Sequence, residues 1–181
     1  WLCPLRDEGL WDERVEFWSS VHGLDMSCLL PLAQAELCRK PRIELVQPEQ
    51  LASTAECIAD LDLGSAQLCD ARAVHRSLEF SSHVRARLLG FVSYFDVELI
   101  DGFWLSTSPE EEPTHWQQVT FLWDAPLDIA LDQVLKTEVR VVQNPLNLRC
   151  LDVHLVCEVT DNEQVPSNIR REKSFALDTQ C

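Results

Sequence analysis

From residue 42 onward the apolar residues of this sequence recur at every second position, and that period restricts the fold more than any other feature. The clearest run is Leu151, Val153, Leu155, Cys157 and Val159. Side chains two apart share one face of a strand and cannot share one face of a helix. Residues 42–47, 57–63 and 83–89 read as strands, the last with Val84, Ala86 and Leu88 opposite His83, Arg85 and Arg87. Phe91, Ser93, Phe95, Val97 and Leu99 form one face of the next, and further strands are predicted at 103–107, 116–123, 135–142 and 148–159. No helical pattern separates them. The expected class is therefore mainly β, an antiparallel barrel or sandwich-like domain.

The first 40 residues follow the other period. Trp11, Val15, Trp18 and Val21 recur at helical spacing, Phe17 widens the stripe and Gly23 stands where a helix can end, which predicts an amphipathic helix of about three turns. Asp25 or Ser27 can cap a second helix running to Glu36, with Pro31 near its start, where proline is tolerated. The division expected is a helical segment over 1–40, a barrel over 41–160 and a polar loop with a tail over 161–181. Asn144-Pro145-Leu146-Asn147 is a turn, residues 161–173 read as a mobile polar loop, and Phe175 and Leu177 are candidates for a short final strand.

Thirty acidic against 15 basic side chains give a formal charge of -15. Such a surface repels phosphates, which argues against nucleic acid; a cationic peptide would suit it, and the alternative is that the acidity serves only solubility. The eight cysteines have no C-x-x-C spacing, and several occupy apolar strand positions. They read as free thiols in a reducing compartment, the cytoplasm or the nucleus. No apolar segment reaches membrane-spanning length and no leader-like start is visible, so no membrane association is expected. The five glycines, at 9, 23, 64, 90 and 102, are too far apart for a dinucleotide fingerprint or a P-loop. The histidines have no metal-ligand spacing, and no nucleophile elbow occurs.

What remains is the polar loop before the 116–123 strand. Ser106-Thr107-Ser108-Pro109 leads into Glu110, Glu111 and Glu112, and Pro113-Thr114-His115-Trp116 returns to the sheet. On chemistry alone this is a stiff connection with a structural histidine. Taken in series, however, Gly23-Leu24-Asp25-Met26-Ser27, Gly90-Phe91-Val92-Ser93-Tyr94-Phe95-Asp96, Leu105-Ser106-Thr107-Ser108-Pro109 and Thr114-His115-Trp116-Gln117-Gln118 resemble the second half of a protein arginine methyltransferase.

That resemblance, from about residue 11 to residue 159, implies a barrel interrupted by a helical arm that docks onto a partner subunit. It makes Trp11, Phe17 and Trp18 candidate dimerisation residues of a homodimer; the alternative is that they pack on this chain's own barrel. It also implies that His115 is the catalytic-loop histidine, partnering an acidic residue of a donor-binding domain. Trp116 would wall the arginine pocket and Thr114 would position the loop, a pattern typical of members that make monomethyl and asymmetric dimethyl arginine. Glu110, Glu111 and Glu112 are candidates for a substrate-attracting acidic rim toward Arg-rich proteins. S-adenosylmethionine is the donor implied for a full-length enzyme. None is expected to bind this chain alone, which should be inactive by itself. A non-catalytic protein-interaction module is the alternative of a different class.

Overall fold

A computed structural model describes residues 1–160 and 169–177, apart from the side chains of Leu68 and Ala71. Strand β1 (Leu2–Arg6) is followed by helix α1 (Leu10–Arg14), the two-residue strands β2 (Ser20–Val21) and β3 (Leu24–Asp25), helix α2 (Leu30–Cys38) and strand β4 (Arg42–Glu44). After helix α3 (Leu68–Arg72) come β5 (Ala73–Ser81), β6 (Ala86–Ser93), β7 (Asp96–Ile100), β8 (Phe103–Ser106), β9 (Gln118–Ile129), β10 (Val134–Gln143), β11 (Leu151–Val159) and β12 (Ile169–Leu177).

These strands build two antiparallel four-stranded sheets, ordered β1-β6-β9-β4 and β12-β11-β10-β5. Their facing sides share one core. Leu2, Leu88, Phe91, Phe121, Trp123, Leu127 and Ile129 come from the first sheet, and Phe80, Leu135, Val139, Leu155, Cys157 and Phe175 from the second. Such side chains contribute about 2 kcal/mol each when fully buried. The first sheet is covered on its other face too, where Cys3, Leu5, Leu89, Val92 and Leu122 pack against Trp11, Val15, Leu37 and Cys38 of the helical segment. Alternation in β6 is reset by an irregularity between Leu88 and Gly90. A Cβ on Gly90 would stand 1.9 Å from the Phe121 carbonyl oxygen, so the two strands meet closely there because glycine has no side chain.

The helical segment is shorter than its periodicity predicts. Trp11 and Val15 are buried one turn apart, and after Arg14 the chain passes into a 3-10 turn over Glu16–Ser19. His22 and Gly23, both at positive φ, then form the hairpin turn between β2 and β3, the conformation such two-residue connections require. Gly23 therefore closes a hairpin, not a helix. Asp7 Oδ1 accepts from the Gly9 and Trp11 amides, and Arg87 of β6 pairs with Asp7 and Asp12, which pins α1 to the sheet. At α2, Pro31 occupies the first turn as anticipated.

Three strand assignments need correction, and two strands were not expected. Residues 57–63 are irregular, because Asp62 turns its carboxylate onto the Gly64 amide and the Ser65 hydroxyl, a local bonding that competes with a ladder. The run from Phe91 to Leu99 is two strands: β6 ends at Ser93 and β7 pairs only with β8, as a separate two-stranded sheet. The strand expected from residue 116 begins at Gln118, leaving Trp116 in the preceding turn. Strands β1 and β5 had no clear pattern, since β1 contains Pro4 at a sheet edge and β5 is mostly exposed. β1 also places residues 2–6 of the expected helical segment inside the first sheet. Of the polar loop expected at 161–173, residues 169–173 lie in β12, and the remainder lies outside the described residues.

Candidate functional site

The loop between β8 and β9 is fastened at its base by backbone-directed side chains. Thr107 is buried; its Oγ1 accepts from the Phe95 amide at 3.0 Å and donates to the Phe95 carbonyl at 2.9 Å. Gln118, 2% exposed, donates from Nε2 to the Thr107 carbonyl and accepts at Oε1 from the Val46 amide, both at 2.8 Å. A buried amide with donor and acceptor both used fixes two chain segments at once. Ser106 Oγ donates to Asp96 Oδ1 at 2.5 Å and accepts from the Ser108 amide at 3.0 Å. The loop therefore rises from a rigid foot.

At its far end Thr114, His115 and Trp116 form a turn. The Gln117 amide donates to the Thr114 carbonyl at 3.2 Å, and Gln117 takes φ +53°, the left-handed conformation that swings the chain into β9. His115 and Trp116 are exposed neighbours whose rings stand edge to face, 6.4 Å between centroids, and Phe95 meets Trp116 in the same manner at 6.3 Å. Among the described residues His115 makes no hydrogen bond, and the buried Thr114 Oγ1 has no polar partner. A cleft of about 340 Å³ separates the loop from the strap that holds Val46 and Pro48. Glu110, Glu111 and Glu112 are exposed along it. Burial raises the Tyr94 phenol pKa beneath the loop, opposed by a hydrogen bond with Ser108.

The three candidate dimerisation residues separate. Trp11 is taken into the chain's own core, its Nε1 directed at Glu16 at 3.3 Å. Phe17 is half exposed and packs edge to face on Trp18 at 5.4 Å. Both line a groove of about 660 Å³ with Leu29, Leu32 and Ala33. α2 is tied to the barrel by Lys173, whose Nζ donates to the carbonyls of Cys38 and Leu122 and pairs with Asp124.

Gln118 and Thr107 enter the sequence reading only as members of the motif segments, and Lys173 only as the end of the polar loop; none carries a structural role there. A glutamine or lysine in an alternating strand reads as solvent-facing, and only its bonding to distant backbone reveals otherwise. The glycines offer no cradle for a nucleotide-bearing methyl donor: Gly90 is filled by the Phe121 backbone, and Gly9, Gly23 and Gly102 serve turns at positive φ. Among the described residues no group of three or more His, Cys, Asp or Glu side chains is disposed to hold a metal. No helix there is long and apolar enough to cross a membrane.

A family model described as the arginine methyltransferase oligomerization subdomain matches residues 1–162. Protein arginine N-methyltransferase 6 of Xenopus tropicalis is 31% identical over 182 residues, covering 97% of this chain and 52% of that protein. Protein arginine N-methyltransferase 1 of Chlamydomonas reinhardtii is 30% identical over 161 residues, covering 87% of this chain and 45% of that protein. Among solved structures, the Trypanosoma brucei PRMT1 enzyme-prozyme heterotetrameric complex with AdoHcy superposes with a TM-score of 0.77 at 22% identity, over 97% of this chain and 54% of that one. Arabidopsis thaliana protein arginine methyltransferase 10 gives 0.74 at 21% identity, over 98% and 58%. These two likenesses concern the fold. The chain spans about half the length of the curated relatives it matches.

Proposed function

The chain belongs to the arginine methyltransferase family and carries its oligomerization subdomain, and on that footing we propose that it is the barrel-bearing half of a protein arginine methyltransferase, catalytic only in company with a donor-binding half. The observation that carries this reading is the Thr114-His115-Trp116 turn, exposed at its tip and locked at its foot by Gln118 and Thr107. A side chain that must meet a reacting centre in another domain needs a rigid support and a free end.

In this reading His115 partners an acidic residue of the donor-binding half, Trp116 walls the substrate arginine and Thr114 positions the turn. Products are monomethyl and asymmetric dimethyl arginine. S-adenosylmethionine supplies the methyl group in the complete enzyme; related structures described with AdoHcy or SAH support that donor. Since this chain lacks a glycine cradle among its described residues, the donor pocket and the carboxylates that orient the guanidinium are assigned to the other half. Glu110, Glu111 and Glu112 attract Arg-rich substrates over a Debye length of about 8 Å at physiological salt. Homodimer contacts are made by Phe17 and Trp18, with Trp11 anchoring the segment that carries them; the family's oligomerization description supports subunit pairing. The cytoplasm or nucleus is the compartment proposed, in keeping with buried free thiols at Cys3, Cys38 and Cys157.

A second reading, favoured by the family's oligomerization description, is a non-catalytic module that pairs with an active subunit. Two assays separate them. S-adenosylmethionine titrated into the chain by calorimetry should give no binding, and stoichiometric binding would overturn the division of labour. Methyl transfer to an Arg-Gly peptide should appear when a donor-binding half is joined to the barrel; its absence favours the module.

A further inference from the structure

The β7–β8 hairpin is paired only with itself and exposes large side chains: Leu99, Ile100, Phe103 and Trp104, the last at 60%. A two-stranded sheet with such a surface is marginal in water unless something covers it. On one of its faces Trp104 lies directly across from Glu98, and Asp96 stands one cross-strand pair further along, opposite Ser106. We propose that this hairpin is a docking site for extended arginine-rich peptide segments, separate from the Thr114–Trp116 turn.

The chemistry selects arginine. A guanidinium is planar, stacks on an indole and pairs side-on with a carboxylate, and its three methylenes need apolar cover. Trp104 supplies the ring, Glu98 and Asp96 the carboxylates, Asp96 keeping one oxygen on the Ser106 hydroxyl at 2.5 Å, and Leu99, Ile100 and Phe103 the apolar surface at the tip. Glu98 keeps one oxygen on the Gly102 amide at 2.7 Å, which holds it at the turn. Residues two apart in a strand are about 7 Å apart, so alternate arginines of an extended peptide match Asp96 and Glu98. The outer strand edges offer unpaired backbone groups to such a peptide. A chain charge of -15 favours a cationic occupant over an anionic one.

The inference rests on the proposal that the substrates are arginine-rich, and it extends the site beyond the loop. The test is fluorescence anisotropy of a labelled alternating Arg-Gly peptide titrated with the 181-residue chain, circular dichroism confirming that each variant is folded. Trp104→Ala and the Asp96→Asn/Glu98→Gln pair should each weaken binding about tenfold, and a Lys-for-Arg peptide should bind about fivefold more weakly. Glu138→Gln, at an exposed carboxylate of β10, should change the equilibrium constant less than about threefold at physiological salt. Binding within twofold of wild type in both hairpin variants would overturn the proposal. So would an Ile100→Asp variant that dissociates a self-associated chain while leaving peptide affinity intact, since the hairpin would then be covered by a second copy. Loss of binding in Trp104→Ala together with wild-type turnover in His115→Ala would sink the catalytic reading and leave this site standing; the reverse pattern would do the opposite.

Discussion

The amide of Gln118 closes on the carbonyl of Thr107 at 2.8 Å, eleven residues back along the chain, so the loop bearing His115 is clasped at its base. With its other atom on the Val46 amide at 2.8 Å, the same side chain ties the loop to the strap across the cleft. Truncation to alanine strands two buried backbone groups, each costing about 1–3 kcal/mol. Gln118→Ala should therefore lower the urea midpoint by an amount equivalent to about 2 kcal/mol or more and speed amide exchange within residues 108–117. An unchanged midpoint would mean that the loop is held by other contacts.

Lys173 performs the corresponding service for the helical segment. Its ammonium bonds the Cys38 carbonyl at 2.6 Å, the Leu122 carbonyl at 3.0 Å and Asp124 at 2.5 Å, and lies 5.1 Å from the Phe175 ring centroid. Lys173→Met keeps the stem but leaves these acceptors without their donor. The expected loss is about 2 kcal/mol, read as a lower Tm, with exchange rising first in α2. A Tm within one degree of wild type would show the bonds to be replaced by water at no cost.

Gly90→Ala should be the most damaging single methyl in the protein. The added Cβ meets the Phe121 carbonyl oxygen at 1.9 Å, a backbone atom that no rotamer change can move. Separating β6 from β9 there should cost about 3 kcal/mol or more. Soluble expression and urea denaturation check this, and near-wild-type stability would contradict the register given for these strands.

The buried thiols make stability fall at alkaline pH. Burial is the main cause in pushing Cys3 up to about 12 and Cys157 up to about 11, from an ordinary 9.0. The folded state then holds these protons more tightly than the unfolded state. Stability is complete below pH 9 and drains away as pH rises toward 11–12, by about 1.4 kcal/mol per pH unit for each thiol. Urea midpoints at pH 8 and about pH 10 should differ less in a Cys3→Ala/Cys157→Ala variant than in wild type. Equal differences would assign the alkaline loss to other groups.

Much of the barrel was legible because its strands are buried on one face. In β10 and β11, Leu135, Val139, Leu155 and Cys157 alternate with Lys136, Arg140, His154 and Glu158, and the period alone identifies them. The elements that escaped are those whose environment departs from that rule. β5 is an exposed edge, β1 carries Pro4 and is buried on both faces, and the two-sided burial of β6 hides its end at Ser93. At the site, the motif resemblance drew attention to His115 and Trp116. The residues that make the loop stiff, Gln118 and Thr107, stand in the same motif segments, but their role carried no signal because their bonds are to backbone distant in sequence.

The most direct measurement of the central claim is the kcat of His115→Ala relative to wild type in an enzyme that joins this barrel to its donor-binding half, with an Arg-Gly peptide as substrate. A fall of about 10²–10⁴ in kcat with KM changed less than threefold is the result expected of a side chain acting in the reaction. Wild-type kcat in that variant would contradict the account and return His115 to a purely structural part of the turn.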